Sequence, residues 1–300
     1  MPLSLLDTIP PDRPVLIAGP TASGKSALAL ALAQRQGGTV VNADALQCFA
    51  DWRVLTARPG PAEEARAPHA LYGHVGWGRG YSVGDWLRDL RPLLSGTRPI
   101  VVGGTGLYFR ALTEGLAEIP PVPPELRAEA EARLARIGLP ALAAELAAEV
   151  RADLDLANPA RVLRAWEVAR ATGRSIRDWQ AETPPSLLPP EGATRLLLEA
   201  PKPWLDPRIA ARFDAMLAGG ALEEARAVLP RWDPRLNAAK AIGAPELVAH
   251  LRGELDLETA REMGVRATVR YAKRQRTWFR RRMRGWRALD AATLPPSLTA

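Results

Sequence analysis

Short, unbroken apolar runs alternate with longer Ala/Leu-rich stretches through the first third of the chain, a rhythm that predicts α/β layers. Pro14-Val15-Leu16-Ile17-Ala18 reads as a buried strand ending in a Gly-rich turn. Residues 26–35 read as a helix stopped by Gly37 and Gly38, and Thr39-Val40-Val41-Asn42 as a second strand. Ile100-Val101-Val102 is a third, running into Gly103-Gly104-Thr105-Gly106 and a helix from Leu107. The pattern then changes. Pro120-Pro121-Val122-Pro123-Pro124 makes a stiff break, after which residues 125–180 keep a helical period with almost no β-branched runs. Pro184, Pro185, Pro189 and Pro190 close that unit, and Arg195-Leu196-Leu197-Leu198-Glu199 returns as a strand. The helical stretch therefore reads as an insertion into the sheet. Helices are expected from Asp206 to Arg287, and residues 291–300 are expected to fray.

The 300 residues leave room for one large domain or two, and 40 basic against 33 acidic side chains give a net charge of +7. Ten of the basic residues and no acidic one lie within residues 264–287, which leaves the rest at −3. Segregation on that scale points to a polyanionic partner. Tyr271, Trp278, Phe279 and Trp286 share one helical face suited to packing on the body. That leaves Arg266, Arg270, Arg274, Arg280, Arg281, Arg282 and Arg284 to meet phosphate. The single cysteine, Cys48, excludes an internal disulfide, and with His69, His74 and His250 it shows no zinc-ligand spacing. The short N-terminal apolar stretch has no basic residue before it and carries Asp7, unlike a signal peptide. No apolar run reaches the roughly 18 residues of a membrane span. A cytoplasmic protein is expected.

Gly19-Pro20-Thr21-Ala22-Ser23-Gly24-Lys25-Ser26 matches G-x-x-x-x-G-K-[ST] in full, after a strand and opening a helix, where a P-loop belongs. Its glycines let successive backbone N–H groups turn inward around a phosphate. The helix N-terminus and Lys25 add positive charge, and Ser26 is placed to ligate Mg²⁺. The chain has only four lysines, so one at this position is informative. The expected fold is a P-loop nucleoside-triphosphate-hydrolase-like parallel sheet with helices on both faces and an inserted all-helical domain. Its expected division is 1–119 for the first part of the core and 120–190 for the insertion. Residues 191–290 hold the return strand and C-terminal helices, and 291–300 the tail.

What the P-loop serves is open at this level. ATPases and GTPases add an acid after a hydrophobic strand, whereas Ile100-Val101-Val102 ends in glycines. Glu199 closes another apolar run and is either a metal-facing acid or an edge-strand carboxylate. Asp44 lies just beyond the second strand, at the carboxyl end where open α/β sheets bind ligands. It either orients and deprotonates an acceptor opposite the P-loop or forms a turn. Gly103-Gly104-Thr105-Gly106 is a second Gly-rich turn at the same edge, as a cleft between donor and acceptor requires.

This series of motifs resembles the tRNA dimethylallyltransferase (tRNA isopentenyltransferase) family. Beside the P-loop, the matching segments are Asn42-Ala43-Asp44-Ala45-Leu46-Gln47, V-G-G-T-G-L-Y over residues 102–108 and Asn158-Pro159-Ala160-Arg161-Val162-Leu163-Arg164-Ala165. The R-x-x-x-R-F-x-x-M block of residues 208–216 and Lys273-Arg274-Gln275-Arg276-Thr277-Trp278 complete it, in the family's order. The resemblance implies transfer of the dimethylallyl group from dimethylallyl diphosphate to the exocyclic amine of adenosine 37 in tRNA, releasing diphosphate. It implies that the P-loop and Mg²⁺ hold the diphosphate, that Asp44 is the general base, and that Thr105 and Arg212 steady the leaving group. It implies tRNA contacts at Asp44, Ala45, Leu46 and Gln47, at Thr105 and Arg127, and at Ala160, Arg161, Val162, Leu163 and Arg164. Lys240, Ala241, Ile242, Gly243, Ala244 and Pro245 complete that set. The partner is then the anticodon stem-loop, bound by a monomer.

Two segments depart from the family pattern. The family's D-S-x-Q and following G-x-D-I-G-T-A-K-P read here as Asp44-Ala45-Leu46-Gln47 and Trp52-Arg53-Val54-Leu55-Thr56-Ala57-Arg58-Pro59. Residues 240–245 stand for R-x-h-G-Y-[RK] without its aromatic residue and one cation. Three rivals share parts of the pattern. An ATP-binding small-molecule P-loop kinase would use Asp44 on a hydroxyl, but such enzymes are usually shorter and lack the insertion and the basic stretch. An adenylate dimethylallyltransferase acting on free AMP or ADP would need no polyanion-binding surface. A non-enzymatic RNA-binding module would need neither the P-loop nor Asp44.

Overall fold

The computed structural model describes residues 5–295 and Leu298. One compact unit runs to Thr113 and resumes at Leu188; the other is Glu114–Leu187. The first unit is built on six strands: β1 (Val15–Ala18), β2 (Thr39–Asn42), β3 (His69–Ala70), β4 (Pro99–Gly103), β5 (Thr194–Glu199) and β6 (Arg287–Asp290). They form one sheet in the order β3-β2-β4-β1-β5-β6, each neighbouring pair parallel. All residues of β1 and β4 are buried. A parallel strand covered on both faces has no polar side, so these strands read as unbroken apolar runs.

Before the insertion come α1 (Lys25–Gln36), α2 (Pro61–Glu64), α3 (Val83–Leu90) and α4 (Gly106–Glu114). The inserted unit consists of α5 (Pro124–Ala144), α6 (Ala148–Asp153), α7 (Pro159–Thr172) and α8 (Ile176–Ala181). The first unit then resumes with β5, α9 (Lys202–Ala218), α10 (Ala221–Val228), α11 (Ala244–Leu251) and α12 (Leu257–Arg282). Leu28, Leu32, Val40, Ile100, Leu196 and Leu198 belong to the core beneath α1. The inserted unit has its own core around Leu142, Val162 and Trp166. There the Trp166 indole N–H donates to Glu145 at 2.9 Å, and Arg133 forks onto the same carboxylate.

Two expectations change. The helical run does not reach Arg287: α12 stops at Arg282, and the chain turns to lay β6 along β5. Glu199 is consequently not at a sheet edge, and its carbonyl takes the Ala291 N–H at 2.8 Å. The described residues of the 291–300 segment do not simply fray either. Ala291 is buried, and Leu294 and Leu298 pack on the core of the first unit. Residues 296, 297, 299 and 300 lie outside the described residues. Neither β3 nor β6 is legible from local pattern, because two residues, or four with only Leu289 buried, carry no alternation.

Candidate active site

Strand order places the site. β2, β4 and β1 are neighbours, so the segments leaving their carboxyl ends lie side by side: Asp44 after β2, Gly104 and Thr105 after β4, and the P-loop after β1. In the P-loop, Gly24 takes φ 85°, a left-handed conformation that glycine adopts without penalty, and α1 starts at Lys25. Ala22 shares the positive φ, at 62°. The Arg208 Nε–H braces its carbonyl at 3.2 Å. The half-buried Lys25 ammonium donates to the Pro20 carbonyl at 3.4 Å. Burial pushes its pKa down to about 8; Asp44 opposes that shift and Arg212 adds to it. Three charges thus share one neighbourhood.

Asp44 caps the short turn Ala45–Cys48, one Oδ1 accepting the Leu46 N–H at 3.0 Å. Its backbone N–H donates to Asn42 Oδ1 at 2.8 Å, and the buried Asn42 amide donates to the Asp44 carbonyl at 2.9 Å. The carboxylate therefore forms a turn and still presents Oδ2 toward Gly104, where an added Cβ would sit 3.0 Å away. Thr105 locks the other side of that turn: its hydroxyl accepts the Ala45 N–H at 2.9 Å. Arg212 on α9 is half-buried, and burial lowers its pKa while Asp44 supports the charge.

These groups open on a cleft with about 560 Å³ of empty space, its open mouth included. Thr21, Ala22, Asp44, Arg212 and Tyr271 make one part of the wall; Leu46, Leu55, Ile209, Phe213, Met216 and Ile242 make an apolar part. Such a cleft suits a ligand with a charged head and a hydrocarbon tail.

The residues singled out in the sequence separate accordingly. Asp44, Thr21, Ala22, Leu46, Arg212 and Ile242 line the cleft, with Lys25 and Thr105 beside it. Gln47 turns inward, its amide donating at 2.9 Å to both the Thr56 and Ala57 carbonyls. That pins the departing segment of residues 52–59, which Glu224 also holds by accepting the N–H groups of Arg53, Val54 and Leu55. Ala241, Gly243 and Ala244 are buried against the body, so of the 240–245 segment Lys240 and Pro245 are the exposed members. In the inserted unit Val162 is core, while Ala160, Arg161 and Arg127 are exposed. Burial lowers the Arg164 pKa; Glu167 opposes that shift and Arg127 adds to it.

One further residue belongs to the site, and its place there was not read from the sequence. Gln275 on α12 is 5% exposed and bridges the two Gly-rich turns. It accepts the Thr21 N–H and donates to the Gly104 carbonyl, both at 2.9 Å. Tyr271, one turn earlier, reaches Thr105 and Gln275, and burial together with Asp44 keeps its phenol protonated. Trp278, one turn later, lies where a Cβ on Gly106 would be 2.2 Å away, which explains the glycine. The signals in the sequence are the matching segment of residues 273–278 and an amide on the buried stripe with Ala272 and Phe279. Gln275→Leu is expected to strand a donor and an acceptor, at about 1–3 kcal/mol each, read as a lower urea midpoint.

The described residues hold no cluster of three or more His, Cys, Asp or Glu for a metal ion. They do offer the exposed Ser26 side chain on the first turn of α1. One hydroxyl completed by ligand oxygens and water is a donor set that Mg²⁺ accepts.

The chain matches known proteins over most of its length. Residues 47–282 match the family model for IPP transferase, and residues 13–68 that for isopentenyl transferase. The chain is 63% identical over 289 residues to a tRNA dimethylallyltransferase of Dinoroseobacter shibae, covering 95% of this chain and 97% of that one. It is 59% identical over 286 residues to one from a Ruegeria species, covering 95% and 98%. Among solved structures, the full-length tRNA isopentenylpyrophosphate transferase of Bacillus halodurans superposes with a TM-score of 0.66 at 30% identity, over 93% of this chain and 90% of that one. A eukaryotic dimethylallyltransferase acting on tRNA gives 0.78 at 25% identity, over 93% and 73%.

Proposed function

Because this chain belongs to the tRNA dimethylallyltransferase family, we propose that its cleft carries out the family's reaction, moving a dimethylallyl group from dimethylallyl diphosphate to adenosine 37 of tRNA. The observation that carries this reading is the cleft itself. It joins the P-loop, Asp44 and Arg212 to an apolar wall, as an allylic diphosphate requires.

The P-loop N–H groups, Lys25 and Arg212 hold the diphosphate, and the Thr105 hydroxyl donates to it. The C1–O bond of the donor breaks with its electron pair going to the diphosphate, and the adenine N6 forms the new bond to C1. An exocyclic amine is a poor nucleophile because its lone pair is delocalised into the ring. Asp44 takes the N6 proton as the C–N bond forms, which restores that delocalisation in the product. Ser26 would hold Mg²⁺, which would supply further positive charge to the leaving group when bound.

The adenine must leave its stack in the anticodon loop to reach Asp44, at a cost of a few kcal/mol. Exposed Arg280, Arg281, Arg282 and Arg284 on and just after α12 supply phosphate contacts that offset it, and Arg127 and Arg161 do so from the inserted unit. No helix among the described residues is long and apolar enough to cross a membrane.

Incubation with labelled dimethylallyl diphosphate and, separately, unmodified tRNA, AMP and ATP tests the reading. Label is expected in tRNA alone, on adenosine 37. Label in AMP, or ATP turnover stimulated by tRNA, would overturn it in favour of the adenylate transferase or the kinase.

A further inference from the structure

Phe213 lies on α9, one residue beyond Arg212, and lines the apolar part of the cleft. It is 3% exposed, and the far end of its ring lies in a notch between two glycines. A Cβ on Gly264 would lie 2.3 Å from Cζ and 2.7 Å from Cε2 of that ring. A Cβ on Gly243 would lie 2.9 Å from the same Cε2, and 3.1 Å from Cδ1 of Leu55, another cleft residue. Gly264 stands inside α12, where glycine is a poor helix former. Its absence of a side chain makes room for the ring. The phenyl group is thus a plug: its near part is cleft wall, and its far part fills a slot that would otherwise prolong the cleft between α9, Gly243 and α12.

We propose that Phe213 limits the prenyl donor to five carbons, by filling with its six-carbon ring the space that the next isoprene unit of a longer allylic diphosphate would need. This rests on the transferase reading above and adds its specificity. The chemistry is unchanged for a longer donor: the C1–O bond breaks toward diphosphate, N6 bonds to C1, and Asp44 takes the proton. Only the tail differs, and a dry apolar slot accepts an apolar tail once the ring is gone.

The test compares wild type with Phe213→Ala, and with Phe213→Leu as a milder core change that keeps an apolar filler. Each receives unmodified tRNA with dimethylallyl or geranyl diphosphate, and the modified nucleoside is identified by mass. Wild type is expected to attach the five-carbon group alone. In Phe213→Ala the ratio of kcat/KM for geranyl over dimethylallyl diphosphate is expected to rise at least about a hundredfold, with a smaller rise in Phe213→Leu. If Phe213→Ala does not fold, the leucine variant decides. Wild-type use of geranyl diphosphate, or an unchanged ratio in a variant still active with the five-carbon donor, overturns the inference and leaves the transferase reading standing. A wild type that prenylates tRNA from neither donor overturns both.

Discussion

Asp44→Asn is expected to lower the rate of prenyl transfer by about 10²–10⁴-fold, the usual worth of a positioned general base. The substitution keeps what the carboxylate does for the backbone. An asparagine Oδ1 still accepts the Leu46 N–H, so the turn after β2, and with it the Asn42 and Thr105 contacts, survives. It removes only the ability to take a proton from N6. Donor affinity should change far less than turnover, which separates a base from a positioning group. Single-turnover rates at saturating tRNA and donor, beside an equilibrium affinity for dimethylallyl diphosphate, make the comparison. A rate loss below about tenfold would reduce Asp44 to a turn residue.

The second large effect belongs to Lys25, and it has a pH signature. In the ligand-free enzyme burial holds its pKa down at about 8, and a bound diphosphate favours the ammonium form. Below about pH 8 the charge is already in place, and affinity for dimethylallyl diphosphate should be high and flat. As pH rises through about 8, binding must first take up a proton, so affinity should fall. Stability of the free enzyme should move the other way. The folded pKa lies below the ordinary value of 10.5, so the unfolded chain binds more protons between about pH 8 and 10.5, and Lys25's contribution to stability improves as pH rises across that window. Lys25→Ala is expected to weaken donor binding roughly 10- to 150-fold, the worth of a hydrogen bond to a charged group, and to flatten its pH dependence near pH 8. Titration calorimetry from pH 7 to 10 on both proteins checks the two parts together. An unchanged slope in the variant would assign the proton to another group.

Asp44 and Lys25 are legible in the sequence because their roles are set over a few successive residues. A strand, a Gly-rich turn and a helix start dictate where the P-loop N–H groups, Lys25 and Ser26 go, and G-x-x-x-x-G-K-S spells that geometry out in eight positions. The same holds for buried parallel strands β1, β2, β4 and β5, whose apolar runs record burial on both faces, and for the proline-bounded helical insertion. Relations between segments far apart in the chain leave no such trace. Gln275 meets Thr21 from 254 positions away, and nothing in either neighbourhood says which helix face will turn toward which loop. Phe213 and Gly264 explain each other only once α9 and α12 lie side by side, and until then the glycine reads as a defect in a helix. The strand β6 exists because β5 offers an edge to pair with, not because residues 287–290 prefer to be extended. Local pattern carries backbone conformation and burial, since each residue experiences these with its neighbours in sequence. The partners of a buried amide, a phenyl ring or an edge strand are chosen by how whole elements pack, and that choice is made only when the chain folds.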